Sequence, residues 1–227
     1  MSAEALPASG DTPPAKTCDA GGMAEIHRLW RRGFGEAPDL VRGVGTADLP
    51  HADAVGEHLA TLSSTLHSHH EAEDENLWSK LEERAPACAV HVERMKAQHA
   101  EMLVHLTALD AALPAWRRSA LESDAAPVLS ALDGVNDALA AHLPDEEATI
   151  VPVMETVITQ KEVEWFAEHG RKSTPKGQTW NVVGAIVNSQ PDPDEYLKRD
   201  FPAAFRLLWR WIGRPKYEKN RAVLEGR

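Results

Sequence analysis

Cysteine is scarce in this chain: Cys18 and Cys88 are the only two, far apart and with no CxxC pair. That argues against a disulfide scaffold and against a thiolate-held zinc or iron–sulfur centre. Basic residues are outnumbered, 24 against 35 acidic, and the net charge of −11 argues against nucleic acid and anionic membrane as partners. No stretch is long and apolar enough to span a bilayer. The opening MSAEALPASGDTPPAK lacks the basic n-region and apolar h-region of a secretion signal. A reducing cytoplasm is therefore the expected location, and Cys18 reads as an ordinary reduced thiol. Period-2 alternation among β-branched residues is missing too, so no sheet is expected.

Helical periodicity is what fills the chain. Residues 1–20 are rich in Ala, Ser, Pro, Gly and Asp and read as a disordered tail. A first helix is predicted over about 22–42, with Ile26, Leu29, Trp30 and Phe34 inward and Gly33 and Gly35 weakening its middle. A second runs from about Asp53 to Glu83. A third runs from about 88 to 112, where Leu113–Pro114 is expected to stop it. A fourth runs from about 125 to 157. Short connections between long helices imply an all-α, antiparallel up-down four-helix bundle over residues 21–159. Thr159 with Glu162 reads as a capping box opening a fifth helix. Residues 171–178 read as a polar loop, with further helices over about 179–188 and 202–212. Residues 160–227 are expected to be a helical extension packed on the bundle, with Trp209 and Trp211 buried in it.

Two segments repeat one pattern. HHEAEDENLWS at 69–79 and HLPDEEATIVP at 142–152 each place a Glu four residues after a His, with a further acid beside it. Four residues is close to one helical turn, so His69 with Glu73, and His142 with Glu146, share a helix face. One HxxxE alone is a weak signal, since an EAEDE run is ordinarily a solvated surface. Two aligned copies carry more weight, because two buried carboxylates without a cation are expensive.

Helical phase sorts the remaining histidines. With His69 inward, His67 and His70 are turned outward or sideways, while His58 lies about 16 Å up the axis. Whether His70 or Glu71 takes the place of one of the selected ligands stays open. His27 on the first helix and His99 on the third complete a set of six: His27, His69, Glu73, His99, His142 and Glu146. Four imidazoles and two carboxylates suit a pair of iron or manganese ions, and zinc less well. The lining expected around them is apolar: Trp30, Phe34, Leu62, Leu66, Met95, Met102, Leu103 and Leu139. Pro144, between His142 and Glu146, removes the hydrogen bond to the carbonyl of Ala140; a kink or a π-like bulge is the expected consequence.

The segments IHRLWRR, HHEAEDENLW, MKAQHAEM and HLPDEEATIVP together resemble the hemerythrin family, in its HHE cation-binding branch, over about residues 22–157. The resemblance implies a four-helix bundle holding two iron ions, oxo- or hydroxo-bridged, with the six residues above as ligands. Two departures stand out. The position four after His99 is Leu103, where the oxygen carriers of the family have a second His. Their helix 4 motif, HxxxxD, is replaced here by Glu146 and Glu147. Both shift the expectation from a reversible carrier toward a centre that binds or reduces dioxygen, hydrogen peroxide or nitric oxide. An oxidase or oxygenase acting on a small organic substrate is the second reading. An iron- or oxygen-responsive interaction module is the third.

Overall fold

The computed structural model describes residues 15–227, which form helices and turns with no strand among them. In chain order the helices are α1 (Gly22–Arg42), α2 (Leu49–Asn76), α3 (Trp78–Arg84), a 3₁₀ turn (Pro86–Cys88), α4 (Ala89–Ser119), α5 (Glu122–Thr149) and α6 (Val151–Val157). Then follow α7 (Gln160–Ser173), α8 (Thr179–Ser189), α9 (Pro193–Asp200), α10 (Ala203–Leu208), a π-helical turn (Trp209–Gly213) and α11 (Arg214–Leu224). Helices α1, α2, α4 and α5 are the bundle.

The bundle interior has two apolar clusters. One holds Trp30 of α1, Leu66 of α2, Met102 of α4 and Leu139 of α5. The other holds Leu77, Met95 of α4 and Ile150, with Met23 of α1 packed against it. Following the chain, α1 and α4 run from the second cluster to the first, and α2 and α5 run from the first to the second. This is the antiparallel up-down arrangement that the sequence implies. On every helix the stretch between the two clusters carries the selected histidines and glutamates, so a polar layer is sandwiched between apolar ones.

The repeated motif is repeated in the backbone as well. Helix α2 breaks at Leu77 (φ −99°, ψ −52°) and α5 breaks at Ile150 (φ −100°, ψ −51°). Each break lies four residues after the motif glutamate, whose carbonyl accepts the N–H of the break residue at 2.8 Å and 2.9 Å. A seven-residue helix follows each. The predicted helices ending near 83 and 157 are therefore each two helices.

Pro114 does not stop α4. The apolar stripe of Leu106, Leu109 and Leu113 continues to Trp116, which is fully buried, and its burial carries the helix on to Ser119. The turn is closed instead by Ala120 in the left-handed region (φ 48°), whose N–H donates to the Trp116 carbonyl at 2.8 Å. Pro144 neither interrupts α5 nor opens a π bulge in it. It is exposed, as is Ala140, so the carbonyl it leaves without a partner lies on the solvent side.

Most of the expected tail, residues 1–14, lies outside the described residues. Residues 15–20 do not behave as a tail. Thr17 donates its N–H to the Glu155 carbonyl at 2.8 Å and its hydroxyl to the Ile158 carbonyl at 2.7 Å. Cys18 and Ala20 are buried in the second cluster. Burial pushes the Cys18 thiol up, which keeps it protonated and inert.

The capping box at Thr159 and Glu162 is present and opens α7. The extension docks through α8 and α11. Arg28 donates to the Gln190 side chain at 2.8 Å, His51 meets the Leu224 carbonyl at 3.0 Å, and Leu224 enters the first apolar cluster. Trp209 is buried as expected, but Trp211 is 72% exposed, because the π-helical turn faces Trp209 and Gly213 inward and leaves Trp211 outside. Helices α9 and α11 are not predicted from the sequence: each is short and has a proline, Pro193 or Pro215, in its first turn.

Candidate metal centre

All six residues selected from the sequence meet in the polar layer. His27, His142 and Glu146 are fully buried, Glu73 and His99 nearly so, and the His69 side chain retains 15% exposure. A seventh joins them. His70 is buried, and its ring stacks on that of His99 with centroids 4.0 Å apart. His70 is turned aside only if His69 is the centre of the inward face. Glu73 is nearer the centre: four residues after His69 and three after His70, it lies between them on the helical wheel. The two histidines straddle the bundle axis and reach opposite ends of the site. Glu71 is exposed and takes no part.

The seven residues divide into two groups. His27, His69 and Glu146 offer ligand atoms that all lie within 4.8 Å of one another, and so do His70, His99 and His142. The two carboxylates join the groups. Glu73 sets one oxygen 3.2 Å from His69 Nε2 and the other 3.6 Å from His99 Nε2. Glu146 Oε2 is 3.3 Å from His27 Nε2 and 3.5 Å from His142 Nε2.

Surrounding side chains fix the ring orientations. The Nδ1 of His27 pairs with Glu147 at 2.8 Å, that of His99 with Asp74 at 2.8 Å, and that of His142 with the Gln98 amide oxygen at 3.1 Å. With Nδ1–H donating outward, Nε2 is a lone-pair donor aimed inward, as a metal ligand must be. These partners are held in turn. Arg31 donates to Glu147, the Trp78 indole N–H donates to Asp74 at 2.6 Å, and the Gln98 amide donates to Asp145. Burial pushes the Glu147 carboxyl up, but His27 and Arg31 outweigh it and hold it at about 2.

Protonation inside the layer is strained. Burial drives His69 and His70 well below the usual imidazole range and His142 down to about 4. Burial, with the Glu146 charge beside it, pushes the Glu73 carboxyl well above the usual range. Burial acts on Glu146 in the same sense, but His27, His142 and His69 outweigh it and hold Glu146 ionised.

Hydrogen bonding supplies the test of fit. Eleven buried side-chain atoms lack a hydrogen-bond partner among the described residues, and nine of them are the Nε2 atoms of His27, His69, His70, His99 and His142 with all four oxygens of Glu73 and Glu146. Buried polar atoms left without partners cost about 1–3 kcal/mol each, and more where charged. Nine lone-pair donors converging in one enclosure fit metal cations at both groups.

One sequence expectation fails around the site. Leu103 is 52% exposed and lines nothing. His58 is remote, as its spacing requires, but lies against the extension. His67 pairs with Asp110 at 3.3 Å, away from the layer.

A family model described as the hemerythrin HHE cation-binding domain matches residues 22–154. No curated protein and no solved structure matches the chain.

Proposed function

The chain belongs to the hemerythrin HHE cation-binding domain family, and from that premise we propose that it is a non-haem di-iron protein that binds or reduces a small oxidant: dioxygen, hydrogen peroxide or nitric oxide. The observation that carries this reading is the pair of three-residue ligand groups joined by two carboxylates. In it, His27 and His69 would hold one iron and His70, His99 and His142 the other, with Glu73 and Glu146 available to both. A bound iron pair supplies redox equivalents and coordination positions beyond these seven side chains, since iron takes up to about six ligands.

The chain's own residues account for selectivity. Imidazole and carboxylate donors favour iron over softer ions, and carboxylates that span two positions favour iron or manganese over zinc. Trp30 lies over His69 with centroids 4.6 Å apart, and Trp78 lies 5.5 Å from His99. With Leu66, Met95, Met102 and Leu139, all buried, they keep the layer dry. The partial exposure of the His69 side chain supports entry of a small molecule from that side. This enclosure favours an oxidant of a few atoms over an organic substrate, which needs an open pocket at the metals. The cavity of about 20 Å³ beside His58 and the groove beside His67 are both lined by residues outside the ligand set. We place the protein in the cytoplasm; no helix among the described residues is long and apolar enough to cross a membrane.

Iron-loaded protein mixed with hydrogen peroxide tests the reading. Near-ultraviolet bands that change on addition, together with peroxide loss, are the expected result. Iron-loaded protein that neither changes spectrum nor alters peroxide, dioxygen or nitric oxide overturns it.

A further inference from the structure

Helix α10, the π-helical turn and α11 form one continuous rod over residues 203–224. Its inner side is accounted for: Trp209, Gly213, Tyr217 and Leu224 are buried against the protein. The outer side of its first half ought to be polar, as on any helix packed on a soluble domain. It is not. Ala204, Leu207, Leu208, Trp211, Ile212 and Pro215 are all exposed there, with Leu207 at 59% and Trp211 at 72%. Opposite faces of one short stretch are both apolar, so folding of the chain alone leaves one face without a partner.

Charge says what covers it. Residues 203–227 carry seven Lys and Arg against two Glu, in a chain whose net charge is −11; the remaining residues carry 17 basic against 33 acidic. The cations flank the apolar face. Arg210 and Arg214 lie on one side of it, both exposed; Arg214 pairs with Glu218 at 2.7 Å, and the Arg210 guanidinium lies 5.5 Å from the Trp211 ring. Lys216 and Lys219 continue the basic border. A second copy presenting the same face would meet it with like charge, which opposes a symmetric pairing through it. The occupant is therefore anionic and apolar at once.

We propose that this face docks on an anionic lipid surface, with Leu207, Leu208, Trp211 and Ile212 entering the headgroup–acyl boundary and the flanking cations meeting phosphate. Tryptophan with an apolar body and a polar edge suits that boundary, as do arginines whose stems lie along apolar surface. An exposed apolar helix face bordered by Lys and Arg is the pattern of helices that lie in the plane of a membrane. The strongly acidic remainder is repelled by the same surface, which orients the bundle away from it. The net charge of the whole chain conceals this division. The inference stands apart from the metal reading, since no metal ligand lies on the rod.

Co-sedimentation of the full chain with phosphatidylcholine vesicles, with and without phosphatidylglycerol, tests it. The expected result is pelleting with the phosphatidylglycerol vesicles alone, reversed by salt. The double variant Leu207→Ser/Trp211→Ser is predicted to lose roughly tenfold or more of the bound fraction, and Arg210→Glu several-fold, with unchanged circular dichroism and metal content. Because all three side chains are exposed, the fold tolerates these changes. No pelleting with anionic vesicles at low salt, or pelleting that the double variant leaves unaltered, overturns the proposal. Retention on polyglutamate without vesicle binding also overturns it and points to an acidic protein instead.

Discussion

Two glycines two residues apart in α1 show how little a residue's identity says without its neighbours. Both read from the sequence as weak points in a helix. A Cβ on Gly33 would meet Leu62 Cδ atoms at 2.8 and 2.9 Å, inside the buried core. A Cβ on Gly35 would meet nothing within 4 Å. Replacing Gly35 by Ala is predicted to stabilise the fold by about 0.5–1 kcal/mol through helix propensity alone. Replacing Gly33 by Ala sets that gain against overpacking, which typically costs about 1–3 kcal/mol, and is predicted to destabilise. Urea unfolding of the two variants gives opposite signs if this is right. The histidines teach the same lesson. Four of the candidate residues were legible because spacing alone places His69 with Glu73 and His142 with Glu146 on one face, and His27 and His99 because they are turned inward on the other two helices. His70 was not, because which residue marks the centre of that face depends on the partner helices. Substituting Ala for Glu73 or Glu146 is predicted to remove most bound metal, and His70→Ala a large part of it. His67→Ala and His105→Ala retain it, since His67 pairs with Asp110 and the His105 ring packs on Gly134. Elemental analysis of the purified variants decides; equal loss from all five removes the assignment.

At the scale of elements, what could be read was periodicity, and what could not was where a helix ends. Pro114 and Pro144 look like breaks, but both are tolerated inside helices whose apolar stripes run past them. The true breaks fall at Leu77 and Ile150; Pro152 marks the second, at the start of the helix that follows it, but no Pro or Gly marks the first. Their equivalence is visible only because each stands four residues after a motif glutamate. The junction of bundle and extension carries its own prediction. His58 lies between α2 and the extension, in a small cavity with Arg32, Glu36, Tyr217 and Arg221 among its walls. Burial, and then the Arg221 charge, lower its pKa from 6.5 to about 4. The unfolded chain therefore binds the proton more readily, and stability contributed by neutral His58 is present in full above 6.5 and is lost as the pH falls toward about 4. The metal-free protein is predicted to lose stability across that window, and His58→Gln to lose less of it. Parallel thermal melts at several pH values measure the difference; identical slopes for the two proteins contradict it.

Across the whole molecule, the apolar clusters above and below the polar layer explain how a chain accommodates nine unpartnered buried atoms. Bound cations would satisfy these atoms, so metal binding is predicted to stabilise the fold. Chelation is predicted to lower the melting temperature, and ferrous ion to restore it. The up-down bundle and its C-terminal extension were readable from helix lengths and short connections. The uneven charge is legible only when the sequence is counted by segment, because whole-chain composition averages an acidic remainder with a basic last helix. Anaerobic titration of the metal-free protein with ferrous ion bears most directly on the central claim. Uptake is predicted to saturate at two irons per chain, one for each ligand group. Saturation at one iron, or no uptake, would contradict a paired centre built from these seven side chains.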